Sequence, residues 1–215
     1  NGIVSLLIDK KEVVKGMRTY YLGTINNIEV VVVFSRWGKV ASATTVTHLI
    51  VEFGITELFF TGVAGAIHPD LNIGDIVIAS SLTQHDLDAR PIMSQFEIPL
   101  LGKTMLCPSK EMLDKAVEGI GELVRDESLI HSLLPKQREV FSLSNPKMVI
   151  GQIASGDRFF ASHEDKENLL TMLPDVIIRT ISDEANDDSV VDFKEFVSQV
   201  ASRFGVEIIK KMLKK

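Results

Sequence analysis

An α/β fold, with a mixed and mostly parallel central sheet flanked by helices in three layers, is the fold class this sequence predicts. Three observations predict it. Five continuous β-branched apolar runs occur along the chain, segments of helical periodicity separate them, and most runs empty into a short turn rich in glycine or polar residues. Strands and helices that alternate in this way bury a parallel sheet under helices on both faces.

The elements follow in order. The opening stretch “NGIVSLLIDKKEVV” starts without methionine and reads as the interior of a longer sequence. “TYYLGTINNIEVVVVF”, residues 19–34, predicts a hairpin turning at Asn26-Asn27, because asparagine tolerates the left-handed backbone that a two-residue hairpin turn requires. That hairpin makes the sheet mixed. Its second arm is the first long run, “IEVVVVFS” at 28–35. “KVASATTVTHLIVEFG” then carries small and apolar residues at helical spacing and stops at Gly54. “ELFFTGV” at 57–63 and “DIVIASS” at 75–81 are strands covered on both faces, and “SKEMLDKAVEGIGELVRD” is a helix begun by a capping Ser109. The polar stretch from Asp126 to Asn145 reads as a loop or excursion. “KMVIGQIAS” at 147–155 and “DVIIRTIS” at 175–182 complete the strands, and “DFKEFVSQVASRFGVEIIKKMLKK” closes the chain as a helix with lysines where they suit its dipole. No internal repeat or linker divides residues 1–215, so one domain is expected.

Composition limits the function. With 45% hydrophobic residues among 215, the chain can bury one sizeable core. A formal net charge of -6 argues against a surface built for nucleic acid, which concentrates Lys and Arg on one face. No apolar run approaches the roughly 18 residues of a membrane span, and no secretory leader pattern is legible, so a cytoplasmic protein away from the membrane is expected. The single cysteine, Cys107, has no internal partner and reads as a buried structural residue.

In an open α/β sheet, ligands bind beyond the carboxyl ends of the strands. That edge collects “SRWGK”, “TGVAGA”, “HDLDARP”, “SGDRFF” and “RTISDEANDD”. In “TGVAGA” the small residues Gly62, Ala64 and Gly65 admit either a ligand or tight packing. It is neither a Walker motif nor a dinucleotide fingerprint. Phe159 and Phe160 are either core rings or a platform on which a flat base stacks. Asp183 is either a helix cap, a role open to Ser182 as well, or a carboxyl whose raised pKa at an apolar pocket lets it give a proton to a leaving group. Glu184, Asp187 and Asp188 read as a solvated acidic turn, and no histidine at ligand spacing makes a metal site of them. His85, Asp86 and Asp88 invite a metal or acid-base reading, and a loop role is preferred. No metal and no organic cofactor are expected.

Taken in order, “TGVAGA”, “GDIVIA”, “HDLDA”, “SGDRFF” and “RTISDEAND…DFKEF” resemble the nucleoside phosphorylase/hydrolase superfamily, and within it the 5′-methylthioadenosine/S-adenosylhomocysteine nucleosidases. The likeness runs from about Thr19 to the C-terminus. It implies hydrolysis of the N-glycosidic bond of an adenine nucleoside, releasing adenine. By the resemblance, Asp183 protonates the base at N7, Ser182 orients it, and Arg179 stands behind them. Phe159 stacks on the purine while the backbone of Phe160 holds the base edge. Val63, Ala64 and Gly65 flank the sugar and base, Trp37 and Phe193 line the 5′-alkylthio pocket, and Ile92 is lent across a homodimer interface.

The run “LFFTG” carries no arginine before the glycine loop, where related phosphorylases hold phosphate, so water is the expected nucleophile; Arg36 remains a candidate anion holder. A phosphorylase and a non-catalytic nucleoside-binding protein are the alternatives. Two departures bear on the last. The family's acidic motif that activates water and its M-E-x-A motif that grips the ribose have no match. “ENLLTMLPD” runs straight into “VIIRTISD”, where the family has a further strand and helix. Losing these would cost on the order of several kcal/mol, so a segment left out of the sequence is expected rather than a deletion; a true deletion implies an inactive enzyme.

Overall fold

The computed structural model describes residues 2–158, 162–173 and 195–214, together with the backbone of 180–183. After a 3-10 turn at Gly2–Leu6 the chain forms β1 (Ile8–Lys15), β2 (Arg18–Ile25) and β3 (Ile28–Val33). These make an antiparallel three-stranded sheet in the order β1-β2-β3. The hairpin turns where predicted: Asn26 and Asn27 both have positive φ, 50° and 62°. A second tight turn at Gly16-Met17 joins the extra strand β1, which the sequence reading left unassigned.

Helix α1 (Lys39–Phe53) ends at Gly54, whose φ of 64° lets its N–H reach the Ile50 carbonyl at 3.2 Å. Arg18 pins this helix to the hairpin, its guanidinium donating to Thr45 Oγ1, Gly16 O and Ala41 O at 2.7, 2.9 and 3.0 Å. The fully buried Tyr20 adds a hydroxyl contact to His48 Nδ1 at 3.0 Å.

The remaining strands pair in parallel: β4 (Val63–Gly65) with β7 (Thr180–Asp183), and β5 (Ile76–Gln84) with β6 (Met148–Ser155). The mixed α/β class holds, with the sheet in three hydrogen-bonded pieces among the described residues. Of the run 57–63 expected as a strand, Val63 begins β4, which pairs with β7 through Val63, Ala64 and Gly65. Leu58 and Phe60 before it are exposed.

Helix α2 (Lys110–Arg125) begins as expected, with the Ser109 hydroxyl accepting the Met112 N–H. The stretch 126–145 is not a loop. It folds into α3 (Ser128–His131) and α4 (Pro135–Val140), and its apolar residues Leu129, Ile130, Leu133, Phe141 and Leu143 enter the main core. Each such burial is worth roughly 1.5–3 kcal/mol, enough to override the polar composition around them. They meet Ile76, Ile120, Leu123 and the C-terminal helix, a π turn at Val197–Ala201 leading into α6 (Ser202–Met212). Phe141 and Phe196 pack edge to face there, ring centroids 5.4 Å apart.

Asp75 is 2% exposed and accepts the N–H groups of Asn72 and Lys147, both at 2.9 Å, tying the starts of β5 and β6 together. Cys107 is exposed, contrary to the buried position expected of it. Helix α5 (His163–Met172) follows β6, and only residues 174–179 separate Leu173 from β7. Six residues are too few for a strand and a helix. Residues 174–179, the first part of the strand expected over 175–182, lie outside the described residues.

Candidate active site

Strands β4 and β7 bring two of the edge motifs side by side. Val63 pairs with Thr180 and Ala64 with Ile181, but Gly65 pairs with Asp183, so Ser182 is an extra residue that bulges the ladder. The glycine loop thus lies against the backbone of the S-D pair. Behind it, Ala64 and Ala154 pack with the fully buried Ile67 and Leu169, which brings β4, the end of β6 and α5 into one cluster.

Three more edge loops meet through charged groups. Lys39, at the start of α1, donates its ammonium to Asp86 Oδ1 at 2.7 Å and its N–H to Asp157 Oδ1 at 2.7 Å. Asp157 in turn donates its own N–H to Asp86 Oδ2 at 3.0 Å. Beside this ring the His85 imidazole lies so close to Gly156 that a Cβ there would fall 2.2 Å from His85 Nε2. The His85 N–H also binds the Ser155 carbonyl at 3.1 Å. Past the loop, Arg158 reaches Asp165 on α5 at 2.7 Å, and the Ser162 hydroxyl caps that helix by accepting the Asp165 N–H.

Electrostatics follow the burial. Desolvation pushes the His85 pKa below its ordinary 6.5, helped by the Lys39 and Arg158 charges and opposed by Asp86. Asp86 is raised by burial, yet the Lys39 and Asp157 hydrogen bonds, with the Lys39 and His85 charges, outweigh that and hold it below the usual carboxylate value. Asp88 sits apart from the ring. Arg90 grips it through side-chain and backbone hydrogen bonds and draws it down to about 2.

Of the residues singled out by sequence, Val63, Ala64 and Gly65 stand half-buried on β4. Ser182 and Asp183 end β7 beside them. Trp37 lies in the turn before α1, 76% exposed, and Ile92 lies in the loop after β5, 86% exposed. Phe159, Phe160, Arg179 and Phe193 lie outside the described residues, as do Glu184, Asp187 and Asp188. Arg36 donates from its guanidinium to the Met17 carbonyl. Lys39 and Asp157 went unremarked in the sequence although both lie inside quoted motifs. Their complementary charges at the ligand edge were the available signal. Among the described residues there is no group of three His, Cys, Asp or Glu side chains that could hold a metal ion, and no helix long and apolar enough to cross a membrane.

Known proteins match this arrangement over nearly its whole length. An aminodeoxyfutalosine nucleosidase of Campylobacter jejuni is 30% identical over 234 residues, spanning 98% of this chain and 93% of the relative. A 5′-methylthioadenosine/S-adenosylhomocysteine nucleosidase of Shewanella denitrificans is 29% identical, spanning 96% of this chain and 90% of the relative. Among solved structures, the Streptococcus pneumoniae MTA/SAH nucleosidase in complex with 8-aminoadenine superposes with a TM-score of 0.81 at 26% identity, covering 98% of this chain and 92% of that one. The futalosine hydrolase of Helicobacter pylori superposes with a TM-score of 0.80 at 26% identity, covering 98% and 91%. The family model described as the phosphorylase superfamily matches residues 3–177, a span that holds the glycine loop, the charged ring and α5. With sequence, topology and edge motifs in agreement, this chain belongs to the phosphorylase superfamily, and the relatives it matches there are nucleosidases.

Proposed function

We propose that this chain hydrolyses the N-glycosidic bond of an adenine nucleoside with a modified 5′ position, either 5′-methylthioadenosine and S-adenosylhomocysteine or aminodeoxyfutalosine. The observation that carries the reading is the register of Gly65 with Asp183, which joins the small-residue loop to the S-D pair at one strand edge. In this reading Asp183 gives a proton to purine N7, the C1′–N9 bond breaks with its electron pair going to the base, and adenine leaves neutral. Water adds to C1′ of the oxocarbenium-like sugar and loses a proton. Ser182 orients Asp183, with Arg179 behind them. Phe159 stacks on the base, and the backbone of Phe160 holds its edge. Val63, Ala64 and Gly65 flank sugar and base, while Trp37 and Phe193 bound the 5′ group. Ile92 serves the site of a second copy, and the apolar outward face of α1 supports such a dimer. The chemistry needs no metal or organic cofactor.

The test is chromatographic detection of adenine released from each nucleoside in phosphate-free buffer, repeated with phosphate. Release without phosphate supports the hydrolase. Release only with phosphate, together with a sugar 1-phosphate, replaces it by a phosphorylase.

One observation favours a second reading. The short join from α5 to β7 leaves no room for the family's ribose-gripping segment, as a protein that binds nucleosides without cleaving them would allow. Adenine binding with no release from any nucleoside would support that reading.

A further inference from the structure

We propose that Lys39, Asp86 and Asp157 form a three-loop brace that positions the base-holding segment after Gly156 and, through the same ring, Trp37; the proposal rests on the nucleosidase reading above. Each of the three residues is bonded to the other two. Asp86 uses both carboxylate oxygens, one for the Lys39 ammonium and one for the Asp157 amide. Asp157 uses both its amide and its carboxylate, the latter on the first N–H of α1. Lys39 uses both its ammonium and its amide.

A closed ring of this kind differs from an ordinary surface ion pair. The Lys39 and Asp86 side chains are only 32% and 21% exposed, so solvent screens them less than it would a free pair. Asp157 also supplies what α1 lacks locally. The N-cap is Gly38, which has no side chain to offer, and a carboxylate from a loop 118 residues away accepts the orphan amide where the helix dipole favours negative charge. The fit is close, since a Cβ on Gly38 would lie 3.2 Å from Asp157 Oδ1. On its other side the loop is held by His85 against Gly156 and by Arg158 on Asp165. Asp157 stands two residues before Phe159, and Lys39 two residues after Trp37. One ring therefore ties the backbone two residues before Phe159 to the backbone two residues after Trp37. Lys39, Asp86 and Asp157 are positioning residues in this scheme and touch no reacting atom.

The experiment compares Asp86→Ala, Asp86→Asn and Lys39→Met in the full chain by amide hydrogen exchange at residues 156–158, adenine affinity and steady-state adenine release. With its acceptor removed in Asp86→Ala, the Asp157 amide should exchange about tenfold faster. Adenine Kd and substrate KM should each rise about tenfold, the scale of one charged hydrogen bond, with kcat changed less than threefold. Asp86→Asn keeps an acceptor and should recover most of the loss, and Lys39→Met, which removes only the ammonium and leaves the Asp157 amide its acceptor, should shift all three readouts in the same direction by less than Asp86→Ala. Unchanged exchange overturns the brace. So does faster exchange with Kd and KM within twofold of wild type, even if the thermal midpoint falls, since that is a stability role only. Should the wild type bind adenine yet release none from any nucleoside, the hydrolase reading fails alone, and exchange with adenine affinity still decides the brace. A wild type that binds no adenine overturns both.

Discussion

Gly65 on β4 stands in register with Asp183 on β7, with Ser182 the unmatched residue between Ile181 and Asp183. A bulge of this sort adds a residue to one strand without lengthening its neighbour, and so changes the level at which the following residue stands. Here that residue is the proposed acid. Glycine opposite it contributes no Cβ of its own to that level.

Replacing Asp183 with Asn should therefore remove the transferable proton while keeping size and shape. Turnover should fall by roughly 10²–10⁴, the usual weight of a general acid, with the fold and adenine binding retained. Initial rates with a calorimetric adenine titration check this. Near-normal turnover by the variant would remove Asp183 from the mechanism.

Gly156 is expected to accept no side chain. Its Cβ would lie 2.2 Å from His85 Nε2, 2.7 Å from Cε1 and 2.9 Å from Cδ2, so the whole ring must move. The His85 backbone is tied to Ser155 through its amide and the residue is buried, so the ring has little room to move and Gly156→Ala should cost about 1–3 kcal/mol of stability and raise KM. Urea unfolding and steady-state kinetics on one preparation measure both.

Local signals were legible in the sequence where neighbours decide the structure. Asn26-Asn27 set a hairpin turn, Gly54 ended α1 and Ser109 began α2, each by backbone chemistry within a few residues. Residues 126–145 were misread because Leu129, Ile130 and Leu133 are held not only by the adjacent α2 but by α6, a partner far away in sequence. The charges of Lys39, Asp86 and Asp157 were legible at the ligand edge, but their closure into a ring was not, its members lying 47 and 71 residues apart.

Asp75 should prove the costliest polar residue to truncate in the fold. Asp75→Ala removes the buried carboxylate that accepts the part-buried Asn72 and Lys147 amide bonds, at about 1 kcal/mol each, and loosens the joined starts of β5 and β6. The denaturant midpoint should drop sharply in this variant and hardly at all in Asp88→Ala, whose partner Arg90 is exposed.

Stability should decline on mild acidification because of His85. Its folded pKa lies below 6.5, so as pH falls the unfolded chain takes up the proton first. The stability it contributes is fully present above 6.5 and is lost as pH drops toward the folded value. Asp86 acts later, its folded pKa lying below 3.8, so its contribution holds above 3.8 and is lost only in stronger acid. Urea midpoints from pH 7.5 to 5 should fall in the wild type and stay flatter in His85→Gln. An equal slope in both would assign the effect elsewhere.

The outward face of α1 bears on the proposed dimer. Val40, Ala43, Thr44, Thr47, Ile50 and Val51 recur at helical spacing and are all exposed, Val40 at 79% and Val51 at 74%. No charged residue interrupts this stripe, whereas a helix face that meets water is ordinarily polar. A second copy seated there would remove the stripe from water and bring its own Ile92 toward the neighbouring site. Val51→Glu would bury a charge in that contact, so sedimentation should shift from dimer to monomer. Adenine release should fall with the dimer if Ile92 is shared. A wild-type chain that sediments as a monomer at micromolar concentration and still turns over would remove the second copy from the site.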